Sequence, residues 1–196
     1  ERFQFAANTN DAGLIAVCAF EHPGMRTNCF YPDYMMLMPA LLLDHLDEYD
    51  RREFAAGFYP LALQQLRVFR GMIAGENCTL TRYPQYRYFI DHCPQLEVET
   101  AEICVYIFAL RKAAELARKL GFDGDIAVLE AEADKWEKNI RKYAFDHERG
   151  LLVSGTGRQV SQASQIWGVL SGVLSIDEGK AALTKGKTLP GAVRSR

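Results

Sequence analysis

Neither sign of charge predominates in this sequence. Lys and Arg number 23 against 25 Asp and Glu, a net charge of −2. That balance leaves no electrostatic footprint for nucleic acid or an anionic membrane, and neither is expected as a partner. Long apolar runs are missing as well. The run 35–43 falls far short of the roughly 20 residues that cross a bilayer. No signal-peptide pattern of basic, apolar and small-residue zones occurs in these residues, and the opening Glu1-Arg2-Phe3, without a Met, makes that uninformative about the parent protein. His22, His45, His92 and His147 are scattered, with no HExxH or CxxC partner, which argues against a transition-metal site. No cofactor is expected. The cysteines Cys18, Cys29, Cys78, Cys93 and Cys104 are odd in number, and the chain is too long to need a disulfide framework. Free, mostly buried thiols are expected. The Gly-rich stretches 121–124 and 154–157 lack the Lys of a phosphate loop, and no GxSxG elbow is present.

What is present is helical. Apolar residues make up 48% and charged residues 24% of the chain, a soluble globular profile. An irregular lead-in over 1–30 holds the turn signal Asn8-Thr9-Asn10-Asp11-Ala12-Gly13, then a short strand or buried turn from Leu14 to Phe20. Pro32-Asp33 opens a first helix running to about Glu48, with Pro39 positioned to kink it. A second helix covers about 51–73, with Gly75 as its stop. A Tyr-rich loop follows to about Val98, longer than compact domains usually carry without a function. The third helix covers about 99–120 and ends at Gly121; the fourth covers about 125–143. Residues 146–150 form a turn and 151–153 a brief extended run. The fifth helix runs from about Ser161 to Leu174, and a weaker sixth lies near 177–185.

The odd-numbered helices begin near residues 33, 98 and 161, so the steps are 65 and 63 residues. They are apolar nearly all round, whereas the second and fourth carry most of the charge. A helix apolar on every side must be buried, and an inner set covered by an outer amphipathic set meets that need. The expected architecture is therefore all-α, an (α/α) toroid of helical hairpins. Hairpins at about 31–75, 98–145 and 161–186 would form about half of a six-hairpin ring.

If the inner helices are parallel, their N-terminal ends share one face. The loops leading there carry Tyr31, Asp33 and Tyr34; Tyr86, Tyr88, Asp91, His92, Glu97 and Glu99; and Gln159, Ser161, Gln162, Ser164 and Trp167. Carboxylates among flat aromatics suit sugars, which offer hydroxyls and apolar ring faces together. Two carboxyls about 6.5–9.5 Å apart would serve inverting hydrolysis. Each residue also has a plainer explanation. Asp33 and Ser161 fit helix caps. Glu99 and Glu102 complement a helix dipole, His92 suits an ordinary loop hydrogen bond, and Trp167 suits the core. Asn77-Cys78-Thr79 matches the N-glycosylation pattern, which is short enough to arise by chance.

The run Arg87-Tyr88-Phe89-Ile90-Asp91-His92-Cys93-Pro94, followed by Leu96-Glu97-Val98-Glu99-Thr100-Ala101, resembles a loop and helix start of bacterial α-L-rhamnosidases and related six-hairpin glycosidases. Tyr31-Pro32-Asp33-Tyr34, Ala113-Ala114-Glu115-Leu116-Ala117, Phe145-Asp146-His147-Glu148-Arg149-Gly150-Leu151 and Ser161-Gln162-Ala163-Ser164-Gln165-Ile166-Trp167 extend the likeness in order over residues 31–175. The resemblance implies inverting hydrolysis of terminal α-L-rhamnosides and a central portion of such an enzyme. It also implies a soluble protein of the bacterial periplasm or cytoplasm. Its partners would be a carbohydrate substrate and the remaining half of the toroid or accessory β domains of the parent chain. The family's acid motif is not found before Phe30, and its late Trp-Glu base motif would lie beyond Arg196, so no catalytic residue is assigned. Pocket lining carries over by position to Asp33, Asp91, His92 and Trp167; Tyr34 and Glu97 join them as substrate-binding candidates. A non-catalytic helical-repeat scaffold and another toroid enzyme, a lyase or unsaturated glucuronyl hydrolase, remain open on fold alone.

Overall fold

A proline divides the first helix. In the computed structural model, which describes residues 9–16, 30–90, 93 and 95–194, α1 (Pro32–Met36) and α2 (Met38–Tyr49) are separated at Leu37. Pro39 sits in the first turn of α2, where its missing N–H leaves no bond unmade. The single kinked helix expected there is two. Asp50, at φ +50°, ends α2, and α3 (Arg52–Arg70) follows almost at once.

α3 stops at Arg70 on Gly71, four residues before the Gly75 expected to end it. The chain leaves the helix early to pair with itself. Thr81 N–H donates to the Met72 carbonyl at 2.7 Å, and Ala74 N–H to that of Thr79 at 2.9 Å. α4 (Glu99–Leu120) matches its expected span and ends on Gly121 at φ +78°, where a side chain would be strained. α5 (Asp123–Asn139) passes into a π-helical turn, Ile140–Ala144. The strand β1 (Phe145–Asp146) then pairs antiparallel with β2 (Leu151–Leu152), Phe145 opposite Leu152. α6 (Gln162–Leu170) is shorter than expected, because Gly172 at φ +78° turns the chain away. α7 (Ile176–Thr188) is longer than expected; Ser175 and Glu178 start it as a reciprocal capping box.

α4 is the hub and packs on α1, α2, α3, α5 and α6. Residues 100–107 are buried without interruption, so its N-terminal turns have no solvent face. α2, α4 and α6 form an inner row; α3 and α5 lie against α4, and α7 against α6. The outer helices are tied by polar contacts: Arg70 to Glu132 at 2.8 Å, Tyr59 to Asp125 at 3.0 Å, and Arg141 to both oxygens of Glu178 at 2.7 and 2.8 Å. Trp136, Phe69, Met36, Ile103, Ile107 and Leu116 fill the space between the rows. Each such side chain stabilises the fold by about 1.5–3 kcal/mol relative to exposure. The end members of the inner row are not apolar-buried all round, as expected of them. α2 leaves Leu41 61% exposed, and α6 leaves Leu170 53% exposed.

The architecture is all-α, three hairpins of an (α/α) toroid. The links at one rim, 50–51, 121–122 and 171–175, are short. Those at the other, 71–98 and 140–161, are long and lead to the N-termini of α4 and α6. In the lead-in, a turn at 10–13 brings Ile15 into an antiparallel bridge with Thr9, and Leu14, Ile15 and Ala16 are buried, with Ile15 N–H donating to the Gln65 side-chain oxygen on α3 at 3.0 Å. The rest of the expected 14–20 element lies outside the described residues. Of the cysteines, Cys78, Cys93 and Cys104 are free, and the first and last are buried.

Candidate functional site

The segments approaching α1, α4 and α6 are knitted together at the long-loop rim. Phe30 bridges Tyr86, and Arg87 N–H donates to the Phe30 carbonyl at 3.1 Å. The Asp33 side chain accepts from Phe89 N–H at 2.8 Å, which fastens the Tyr-rich loop over the start of α1. Thr100, in the first turn of α4, donates its N–H to the Ser154 hydroxyl oxygen and its own hydroxyl to the Val153 carbonyl. Gln159 spans the gap: its carbonyl oxygen accepts from Glu97 N–H, and its amide donates to the Gln95 carbonyl, both at 2.8 Å. The face expected from sequence is thus a single surface.

Four carboxyls collect there with one guanidinium. Arg82 reaches Glu99 at 2.9 Å and Glu97 at 3.5 Å. Behind them, Asp33 is 4% exposed and Glu102 fully buried. Asp33 Oδ1, both Glu102 oxygens and the Tyr88 hydroxyl have no hydrogen-bond partner among the described residues. Burial pushes the Asp33 carboxyl up to about 6, against the lowering effect of the backbone N–H groups of Phe89, Asp33 and Tyr34. Burial, then the Asp33 charge, holds Glu102 well above the usual carboxylate range despite Arg82. The Tyr88 hydroxyl is pushed up to about 12 by burial and then by Glu102. Burial thus favours the neutral, hydrogen-bond-donating form of Glu102, while Glu99 accepts from the Arg82 guanidinium at 2.9 Å.

The sequence candidates separate on this surface. Asp33 does not cap α1, whose N-cap is Tyr31; its carboxylate holds the neighbouring loop instead. Tyr34 is 43% exposed, edge-on to Phe89 at 5.6 Å, while Tyr31 stacks on the same ring at 5.4 Å. Glu97 is half-exposed beside Arg82. Trp167 packs edge-on against Phe108 at 5.8 Å, partly buried, with Tyr88 and Ile90 against the same small cluster. Ser161 caps α6 through Ser164 N–H at 3.1 Å. Asp91 and His92 lie outside the described residues. Sequence reasoning misses Arg82, whose only signal is a cation in a Tyr-rich loop, and for Glu102 it offers helix-dipole complementarity without its burial. No group of three or more His, Cys, Asp or Glu among the described residues is placed to hold a metal.

No family model and no curated protein matches the chain. Solved structures do. A rhamnosidase from Klebsiella oxytoca with rhamnose bound superposes on 98% of this chain with a TM-score of 0.86 at 25% identity. A GH78 family rhamnosidase of Bacillus sp. GL1 superposes on 85% with a TM-score of 0.70 at 17% identity, a likeness of fold. The chain spans 37% of the first of these proteins and 18% of the second. The sequence resemblance to a central portion of an α-L-rhamnosidase is thus met by the structure.

Proposed function

We propose that this chain supplies the sugar-facing rim of a glycoside hydrolase that removes terminal α-L-rhamnosyl groups by inversion. The observation that carries the reading is the near-complete superposition on the Klebsiella oxytoca rhamnosidase. The carboxyl-and-aromatic surface at the inner-helix N-termini supports it. In this reading Asp33, Tyr34, Asp91, His92, Glu97 and Trp167 line the substrate pocket. Asp33 also keeps the Tyr-rich loop closed over α1, and Trp167 offers part of an apolar wall. The general acid and base are not assigned to residues of this chain.

The test is a panel of nitrophenyl glycosides and unsaturated uronides, applied to the protein that carries these residues. Release from the α-L-rhamnoside alone supports the reading. Turnover of uronides instead would place the chain with the lyases or glucuronyl hydrolases, and tight sugar binding without turnover would favour a scaffold. Within that assay, Asp91→Ala is expected to raise KM about tenfold or more with little change in thermal stability. Unchanged kinetics beside a marked drop in Tm would make Asp91 structural.

A further inference from the structure

Beside the carboxyl cluster, on the same rim, lies an open cavity of about 420 Å³ between the turn at 76–80 and the turn at 153–158. It falls in the size range of small-molecule sites, roughly 300–1,000 Å³. Its floor is the first turn of α4, with Glu99 and Thr100, and Glu97 closes one side. Asn77, Thr156 and Arg158 supply donors from the two turns, while Leu80, Ala144 and Val153 give it an apolar patch.

The backbone around this cavity is held in unusual conformations. Three non-glycine residues among those described have positive φ, and two of them, Cys78 at +64° and Arg158 at +49°, line its wall. Gly155, also on the wall, stands at +65°, and a Cβ there would meet the Glu97 carboxyl at 2.8 Å. Such strain persists where surrounding structure imposes it, and it gathers at binding sites.

The charges set the class of ligand. An anion would face Glu97 and Glu99. A bare cation would find both carboxylates already committed to Arg82, at 3.5 and 2.9 Å. Arg158 is itself 3.5 Å from Asp146. What remains is a set of neutralised acceptors and donors around a small apolar patch, which matches an uncharged ring bearing hydroxyls.

We propose that this cavity is a second saccharide subsite, taking one neutral pyranose ring next to the terminal sugar. The proposal rests on the rhamnosidase reading and extends it from the terminal unit to its neighbour. Glu97 and Glu99 would accept from hydroxyls on the side away from Arg82, and Arg158 would donate to a ring or hydroxyl oxygen.

The test is calorimetric binding of L-rhamnose and of a rhamnosyl-glucose disaccharide to wild type, Arg158→Ala and Thr156→Trp. Thr156 is exposed, so the Trp variant fills the cavity without touching the core. The expected result is tighter binding of the disaccharide than of rhamnose by wild type. Both variants should lose about tenfold or more of the disaccharide affinity, as for loss of a hydrogen bond to a charged group, and keep that for rhamnose. Equal disaccharide affinity in wild type and both variants would overturn the subsite and leave the rhamnosidase reading standing. Absence of binding by either sugar to wild type would overturn both.

Discussion

Asp33 illustrates how one carboxyl can serve a fold and make it sensitive to pH. Its folded pKa is raised from 3.8 to about 6 by burial. A group raised in this way contributes stability that is fully present below the unfolded pKa and lost as pH rises through the folded value. The shift corresponds to about 3 kcal/mol, at about 1.4 kcal/mol per unit. Thermal unfolding should therefore show wild type losing Tm between about pH 4 and pH 6.5, with Asp33→Asn showing a much flatter profile. The Asn carbonyl can still accept from Phe89 N–H, so the variant should fold. Equal slopes in the two proteins would mean that the raised proton affinity of this pocket is not expressed in solution. Asp146 and Glu178 act in a different window. Hydrogen bonds from Arg149 to the first and from Arg141 to the second hold each near 2. Their stability is present above the ordinary carboxylate range and lost progressively as pH falls from about 4 through about 2. Glu102→Gln tests whether burial keeps the neighbouring proton in place: an amide replaces a protonated carboxyl at little cost, so Tm at pH 5 should stay within a few degrees of wild type, and a large drop would show that Glu102 is ionised there.

Helix-to-helix spacing in the third hairpin depends on glycine. A Cβ on Gly179, in α7, would stand 2.1 Å from Val169 Cγ2 on α6, and one on Gly168 would stand 2.4 Å from Leu152 Cδ1. Val169 is β-branched and stiff, so it cannot swing aside. Gly179→Ala is expected to destabilise by about 1–3 kcal/mol through overpacking, although alanine is the better helix former. Gly57, within α3, has nothing within 4 Å of its would-be Cβ. Gly57→Ala should therefore stabilise by about 0.5–1 kcal/mol. Denaturant midpoints of the pair check this, and stabilisation by both would show that α6 and α7 can move apart freely. These elements also show what sequence can reveal. α4 was legible from end to end because an apolar helix ran into a glycine in the left-handed region, both local signals. The end of α3 was not, because the Ile73–Leu80 pairing competes for the chain and is specified by residues beyond the helix. Nor was the burial of Glu102, since Asp33 on α1 and Arg82 and Tyr88 in the Tyr-rich loop come close to it only through packing. Local pattern marks where a carboxylate sits on a helix; only packing decides whether water reaches it.

The molecule as a whole has a saturated middle and unsaturated ends. α4 is covered by helices, while Leu41 on α2 and Ile166 and Leu170 on α6 stand exposed at the two ends of the inner row. Exposed side chains of this kind favour association when they are contiguous. These 196 residues produced by themselves are expected to self-associate in sedimentation velocity, and Leu41→Glu with Leu170→Glu to shift them toward monomer. A monomer in both cases would mean that the exposed leucines are too dispersed to bind one another. The two rims differ in another respect. At one, the chain turns from an inner to an outer helix in a few residues, where any insertion would displace a helix. At the other, it wanders through tens of residues that hold both the carboxyl cluster and the strained turns. Such a division separates a fixed frame from an editable surface: new loops can be tried on the long rim while the hairpins below keep their register, so the chemistry of that surface can change without changing the shape that carries it.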